Sequence, residues 1–231
     1  MKKILPFALL AVLAVAAVVL ATSWAELSKL DLTRVPTRAA WQLPDRVVES
    51  LELVPGDRVA DIGAGGGYFV FPLADAVGET GKVYAVEVEE GKVARLREKV
   101  AGRGVSNVEV VLGEYDDPLL PDRGIDLVFL CDTYHHIDER ETYFSRLRAD
   151  LRPGGRVAVV DTRDDLTGIA ALFTLPGHMM SKEVLLAEMA AAGYRHEGGF
   201  EFLPAQHFEI FAAVDPMPEP VPEEPRESPR E

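Results

Sequence analysis

The feature that most constrains the fold is a glycine-dense turn between an apolar strand and a helix. Residues 59–62 form a short apolar run that contains Asp61, and residues 63–67 then read Gly-Ala-Gly-Gly-Gly. A run of this kind is typical of a strand covered on both faces. Glycine permits positive φ and a close backbone approach, and the next helix begins with free N–H groups that favour an anion. The turn therefore predicts a site for a small ligand that carries an anionic group and a donor group.

Asp61 narrows the choice of ligand. A carboxylate at the end of a buried strand is costly unless it is paired. Either the amides of the glycine loop bond to it, or a ligand brings the donors.

The dinucleotide-binding fingerprint would need its third glycine at position 68, where the chain has Tyr68. This departure disfavours a nicotinamide dehydrogenase.

Further apolar runs follow the turn, each separated from the next by a helical pattern. They cover residues 83–88, 108–112, 125–131 and 157–160. Strands that alternate with helices predict a doubly wound α/β sheet, in which ligands bind at the carboxyl ends of the strands. We expect a closing strand pair at residues 200–203 and 208–213.

Acidic and polar residues stand at these strand ends. Glu87 follows the glycine turn at about the 20-residue spacing of an acid that binds a ribose. Capping of the next helix is the alternative, although Glu89 and Glu90 are better placed for it. Glu114 and Tyr115 follow the third strand, where they either border an adenine or are solvated loop residues.

In this order, these motifs resemble those of the class I S-adenosylmethionine (SAM) dependent methyltransferases. The resemblance covers residues 41–213, and the last motif of the series is Arg152-Pro153-Gly154-Gly155. It implies a Rossmann-like seven-stranded sheet in the order 3-2-1-4-5-7-6, with the last strand antiparallel. It also implies a methyltransferase domain over residues 26–213.

The resemblance also implies a role for each site residue. Those that would bind the methionine part of SAM are Asp61, Gly63, Ala64, Gly65 and Gly67. Glu87 would bind the ribose, Glu114 and Tyr115 would border the adenine, and Asp132 would lie near the reactive sulfonium.

Histidines supply the candidate base for methyl transfer, since a hydroxyl or amine acceptor must lose a proton. Asp132 and His135 are the predicted catalytic residues, with Tyr134, His136 and His178 behind them. For each histidine taken alone, a polar packing role is the favoured interpretation. A metal site formed by the three histidines is disfavoured here, because no carboxylate stands at ligand spacing.

Composition limits the partners. The net charge of −14 argues against nucleic acid, because phosphate binding needs clustered Lys and Arg. A single cysteine excludes an intrachain disulfide and a cysteine-based metal site. A chain of 231 residues without a dedicated substrate domain favours a small-molecule acceptor.

Both ends of the chain are predicted to lie outside the folded domain. Lys2 and Lys3 precede the uncharged residues 4–25, so residues 1–25 are either a signal peptide or an N-terminal membrane anchor. Either one predicts export of the domain, to the periplasm or the cell exterior, or a membrane tether with the domain outside. Residues 214–231 are rich in Pro and Glu and predict a disordered tail.

Export conflicts with the cytoplasmic synthesis of SAM. Either the cofactor reaches the exported domain, or the fold serves another function, or the N-terminal segment anchors a domain that faces the cytoplasm. An exported methyltransferase-like protein that binds SAM or a related adenosine compound without catalysis is therefore the alternative function.

Residues 166–180 are apolar without a clear period, and they either cover the site or pack as a loop on the core.

Overall fold

A computed structural model describes residues 37–166 and 178–214 of the chain. The chain divides into two compact units, residues 1–40 and 41–231, and nearly all described residues belong to the second. The predicted signal or anchor at residues 1–25 lies outside the described residues. So do residues 167–177 of the predicted covering segment and residues 215–231 of the predicted tail. Within the described ranges, no helix is long and apolar enough to cross a membrane.

The described strands form one seven-stranded sheet in the order β3-β2-β1-β4-β5-β7-β6. They are β1 (Arg58–Ile62), β2 (Lys82–Glu87), β3 (Val108–Leu112), β4 (Ile125–Cys131), β5 (Leu151–Thr162), β6 (Tyr194–Gly199) and β7 (Gln206–Ala213). The pairs among β1 to β5 are parallel, and β7 is antiparallel to both β5 and β6. The predicted fold class, strand order and antiparallel last strand are confirmed.

Helices precede the sheet and connect several of its strands. They are α1 (Arg38–Gln42), α2 (Pro44–Ser50), α3 (Val70–Val77), α4 (Glu90–Arg103), α5 (Arg140–Leu147) and α6 (Lys182–Ala191), with a short 3-10 helix at Tyr134–His136. Pro44 begins α2, where its missing N–H costs nothing. The Ser181 hydroxyl accepts a hydrogen bond from the Val184 amide and so caps α6 as its sequence predicts.

Buried apolar side chains cover both faces of the sheet because successive strand residues point in opposite directions. In the described residues, Val59 and Leu127 pack on one face with helices α2, α3 and α4. Their neighbours Ala60 and Val128 pack on the other face with α5 and α6. The central strands β1, β2 and β4 are thus covered on both faces, which is why their sequences are predominantly apolar.

The closing strand pair begins earlier than the sequence predicts. We expected strand six at residues 200–203, but β6 is Tyr194–Gly199. This strand lies at the edge of the sheet, and Arg195 and His196 are exposed. Edge strands tolerate polar residues, so an apolar pattern misses them. Phe200 instead packs on Phe208 with ring centroids 4.8 Å apart, beyond the end of the strand.

Asn107 fixes the carboxyl end of α3, the helix that follows the glycine turn. Its Nδ2 donates to the carbonyl oxygens of Ala74 at 2.8 Å and of Gly78 at 2.9 Å. Each carbonyl also accepts from a backbone amide, Ala74 from Gly78 at 3.2 Å and Gly78 from Gly81 at 3.1 Å, so Asn107 supplies a second donor to each.

The variant Asn107→Ala should lower the free energy of unfolding by about 1–2 kcal/mol, because two side-chain hydrogen bonds to the end of α3 are lost. The measurement is urea denaturation followed by circular dichroism. Ser106→Ala, an exposed neighbour, is the matched control and should change stability by no more than about 0.5 kcal/mol. Equal stability of the two variants would contradict this role for Asn107.

Candidate active site

A cavity of about 480 Å³ opens at the carboxyl ends of the parallel strands. Its lining combines apolar side chains with convergent polar groups, as ligand sites do. The residues that line it are Ile62, Gly63, Gly65, Val86, Glu87, Val88, Glu89, Lys92, Glu114, Tyr115, Asp132, Thr133, His136, Ile137 and Tyr143. The cavity thus lies at the sheet edge predicted for ligands.

The structure brings most of the predicted site residues to this cavity. Those in its lining are Gly63, Gly65, Glu87, Glu114, Tyr115 and Asp132. Asp61, Ala64 and Gly67 are buried and lie outside the lining. His135 also lies outside it, and the adjacent His136 forms part of the wall instead.

The glycine turn depends on backbone conformations that other residues rarely adopt. Gly63, Gly65 and Gly67 have φ values of 75°, 54° and 77°. The amides of Gly63 and Ala64 both donate to the Val86 carbonyl at 3.0 Å, which ties the turn to β2. A Cβ on Gly63 would lie 2.2 Å from the Thr133 hydroxyl oxygen. Only glycine therefore lets the end of β4 approach the turn this closely.

Glu87 connects the turn to the cavity. Its Oε1 accepts a hydrogen bond from the Gly65 amide at 3.2 Å. Its Oε2 is buried and has no hydrogen-bond partner among the described residues. The nearest cation is Lys92, whose Nζ lies 3.9 Å from Oε1 and 2.6 Å from Glu89 Oε1. A buried carboxylate oxygen without a donor is costly, so this atom suits a ligand that supplies one.

Asp132 is held by neighbouring side chains. Its Oδ2 accepts from Gln42 Nε2 at 2.9 Å, and its Oδ1 accepts from Gln206 Nε2 at 2.6 Å and from the Thr162 hydroxyl at 3.3 Å. Its φ of 51° is unusual for a residue other than glycine. The carboxylate therefore fixes the conformation of the loop after β4, besides contributing to the cavity wall.

The three predicted histidines come together beside the cavity. His135 Nδ1 lies 2.7 Å from Asp161 Oδ1, and His135 Nε2 lies 3.0 Å from His178 Nδ1. His136 completes the group, with its ring centroid 4.1 Å from that of His135 and 4.9 Å from that of His178. The three residues are named the histidine cluster below.

Two networks hold the histidine-bearing turn in place. The fully buried Tyr134 stacks on Phe144 and donates its hydroxyl to Glu188 at 2.9 Å. Arg140 binds both oxygens of Glu188, at 2.7 Å and 2.9 Å, and so closes a bidentate ion pair onto α6. Burial raises the pKa of Tyr134, with a further contribution from Glu188, so its hydroxyl stays a donor.

Partial burial lowers the pKa of His136 below its ordinary value, and the neighbouring rings of His135 and His178 lower it further. Positive charge on three rings so close together is unfavourable, which explains the direction of the shift. The His136 ring is therefore neutral at neutral pH and has a lone pair available.

The sequence analysis missed Asp161, Thr133 and Lys92. Asp161 is fully buried and follows the apolar part of β5. An acid at the carboxyl end of a parallel strand could have indicated it. Thr133 and Lys92 carry no such signal, because their positions in the wall depend on how separate elements pack.

Comparisons with known proteins agree with this geometry. The family model for a methyltransferase domain matches residues 59–155. Aklanonic acid methyltransferase from a Streptomyces species is 32% identical over 113 residues, which cover 49% of this chain and 51% of that protein. Arsenite methyltransferase from Halobacterium salinarum is 34% identical over 109 residues, which cover 47% of this chain and 28% of that protein.

A solved structure extends the likeness over most of the chain. A SAM-dependent methyltransferase from Aquifex aeolicus superposes with a TM-score of 0.71 at 28% identity, covering 82% of this chain and 98% of that chain. By contrast, the chain spans only about half or less of the two curated relatives named above.

The variant Gly63→Ala should unfold more easily than the wild type. The backbone conformation alone costs about 1–3 kcal/mol for alanine, and the new methyl group meets Thr133. Gly66→Ala is the matched control, because an added Cβ there meets no described atom within 4 Å. Denaturation midpoints of both variants provide the measurement, and a Gly63→Ala protein as stable as Gly66→Ala would contradict this account of the turn.

Proposed function

We propose that this chain, which belongs to the class I SAM-dependent methyltransferases, transfers a methyl group from SAM to a small-molecule acceptor. The observation that carries the proposal is the Glu87 carboxylate, which lines the cavity with one buried oxygen that lacks a donor among the described residues. Family membership supplies the cofactor, and the cavity is of the size that binds small ligands, about 300–1,000 Å³.

The described residues fit this cofactor. A ribose has two adjacent hydroxyls, and a carboxylate can accept from both. Glu87 is the residue proposed to bind them. The glycine turn, at Gly63 and Gly65, is proposed to lie against the methionine part, with Asp61, Ala64 and Gly67 shaping the turn from behind. Glu114 and Tyr115, at the exposed side of the cavity, are proposed to border the adenine.

Bound SAM supplies a methyl group already activated by the sulfonium charge. The chain's own residues therefore need to align the acceptor and exclude water. Asp132, braced by Gln42 and Gln206, is proposed to fix the loop near that methyl group. The histidine cluster is proposed to act on the acceptor, with His136 in the wall and His135 oriented by Asp161 behind it.

A small-molecule acceptor is supported by the relatives, whose names specify aklanonic acid and arsenite. It is also supported by the net charge of −14, which opposes a nucleic-acid substrate. The identity of the acceptor is a matter for a screen once cofactor binding is measured.

The variant Glu87→Gln should bind SAM about 10- to 100-fold more weakly, since a charge-assisted hydrogen bond contributes about 1.5–3 kcal/mol. Glutamine retains the size of the side chain and an acceptor for the Gly65 amide. Isothermal titration calorimetry with SAM, and then with its demethylated product, is the measurement. Glu90→Gln, exposed on the same segment and outside the cavity lining, is the matched control and should retain wild-type affinity.

Absence of SAM binding by the folded wild type would refute the proposal. The competing function, an exported protein that binds SAM or a related adenosine compound without catalysis, predicts a different result. It predicts normal binding of SAM but no methyl transfer to any small acceptor. Substitution of His135 or Asp132 would then change no property of the protein other than ligand binding. An enzyme should lose turnover in those variants while it retains the cofactor.

We further propose that residues 1–25 direct the domain out of the cytoplasm. The support is the basic pair Lys2 and Lys3 followed by the uncharged residues 4–25. Alkaline phosphatase fused after residue 214 should be active in a bacterial host, because that reporter folds only outside the cytoplasm. A fusion that lacks residues 1–25 is the control and should be inactive. Fluorescence from the full-length fusion to a reporter that folds only in the cytoplasm would overturn the proposal.

A further inference from the structure

We propose that the histidine cluster of His135, His136 and His178 binds one divalent transition-metal ion of the zinc class at the edge of the cofactor cavity. One ligand nitrogen from each residue lies within 4.8 Å of the others. Two ligand nitrogens that are each about 2.0–2.1 Å from one tetrahedral zinc ion lie about 3.4 Å apart, so the ring positions must adjust slightly when the metal binds. The sequence disfavoured such a site for want of a carboxylate, but three imidazoles are a sufficient set of protein ligands.

Asp161 gives the cluster the second contact that metal-binding histidines usually have. Its carboxylate lies 2.7 Å from His135 Nδ1 and also accepts from the His135 backbone amide at 3.1 Å. A carboxylate that accepts from one ring nitrogen places the proton there and leaves the lone pair on the other. That other nitrogen, His135 Nε2, is the atom that faces His178 at 3.0 Å. The carboxylate that the sequence did not place at ligand spacing is thus Asp161, which contacts the ligand His135 rather than the metal.

A buried carboxylate next to the cluster also favours a cation. Asp161 is fully buried and contributes a negative charge on the far side of His135. Imidazole ligands suit zinc, copper, iron and nickel rather than magnesium or calcium, which prefer oxygen.

The site would have an open position towards the cavity. Three protein ligands leave room for a fourth, as in catalytic rather than structural zinc sites. His136 belongs to both the cluster and the cavity wall. The ligand expected at the open position is an acceptor molecule that binds through an ionised hydroxyl or thiol. This role, unlike metal binding itself, rests on the proposed function.

A hydrogen-bonded relay from Asp161 through His135 to His178 is the competing interpretation. It accounts for both short contacts of His135, but it gives no role to His136. The two interpretations therefore differ at His136, whose side chain is exposed and can be replaced without disturbing the core.

The test is titration of the full chain, purified without a polyhistidine tag and stripped with a chelator, with Co²⁺ as a visible-absorbing probe and then with Zn²⁺. We expect one equivalent of Co²⁺ with the absorption bands of a low-coordinate site, and displacement by Zn²⁺. His136→Gln and His178→Gln should each weaken Co²⁺ binding at least about tenfold. His196→Gln is the matched control, because His196 pairs with Glu209 away from the cluster, and it should bind as the wild type does.

Three results would overturn the site: no Co²⁺ bands in the folded wild type at micromolar metal, equal weakening in the His196 control, or unchanged binding in His136→Gln. The last would leave the relay as the explanation. Thermal unfolding in the presence of a chelator confirms that each variant is folded. Calorimetry with SAM separates this proposal from the proposed function, because Glu87→Gln should lose SAM and retain Co²⁺, whereas His136→Gln should do the reverse.

Discussion

The site depends first on the contact between Gly63 and Thr133. Because Gly63 has no side chain, the end of β4 can lie directly against the turn after β1. The same turn is hydrogen bonded to β2 through the Val86 carbonyl. Three strand ends are thereby brought to one point. The cavity, with Glu87 on one side and the histidine-bearing turn on the other, is a consequence of that close approach.

Two buried carboxylates then give the two sides of the cavity different chemistry. Glu87 accepts from the Gly65 amide with one oxygen, so the other is available to hydroxyl groups of a ligand. Asp161 is engaged with His135 and orients an imidazole rather than a ligand. A third acid, Asp132, braces the loop between them through Gln42 and Gln206. Similar side chains thus have distinct functions because their partners differ.

Fold and chemistry are related but separate in this protein. The sheet order and the cavity are those expected for SAM-dependent methyltransferases, and the fold alone permits many reactions at its strand ends. In this chain, the histidine cluster lies at the cavity edge. Its position next to the proposed methyl donor would let one site bind the cofactor and an adjacent site bind the acceptor.

The sequence by itself determined the fold class and the sheet edge that carries the site, because periodicity and glycine spacing are local properties of the chain. The strand order followed from the resemblance to the SAM-dependent methyltransferases. The sequence also placed Glu87, Glu114, Tyr115 and Asp132 at that edge. Only the tertiary structure decided that His136 rather than His135 lines the cavity, since adjacent residues in a short 3-10 helix face different ways. Likewise, only folding brought Asp161 and His178 to His135, because no sequence pattern records the packing of β5 and the loop before α6 against β4.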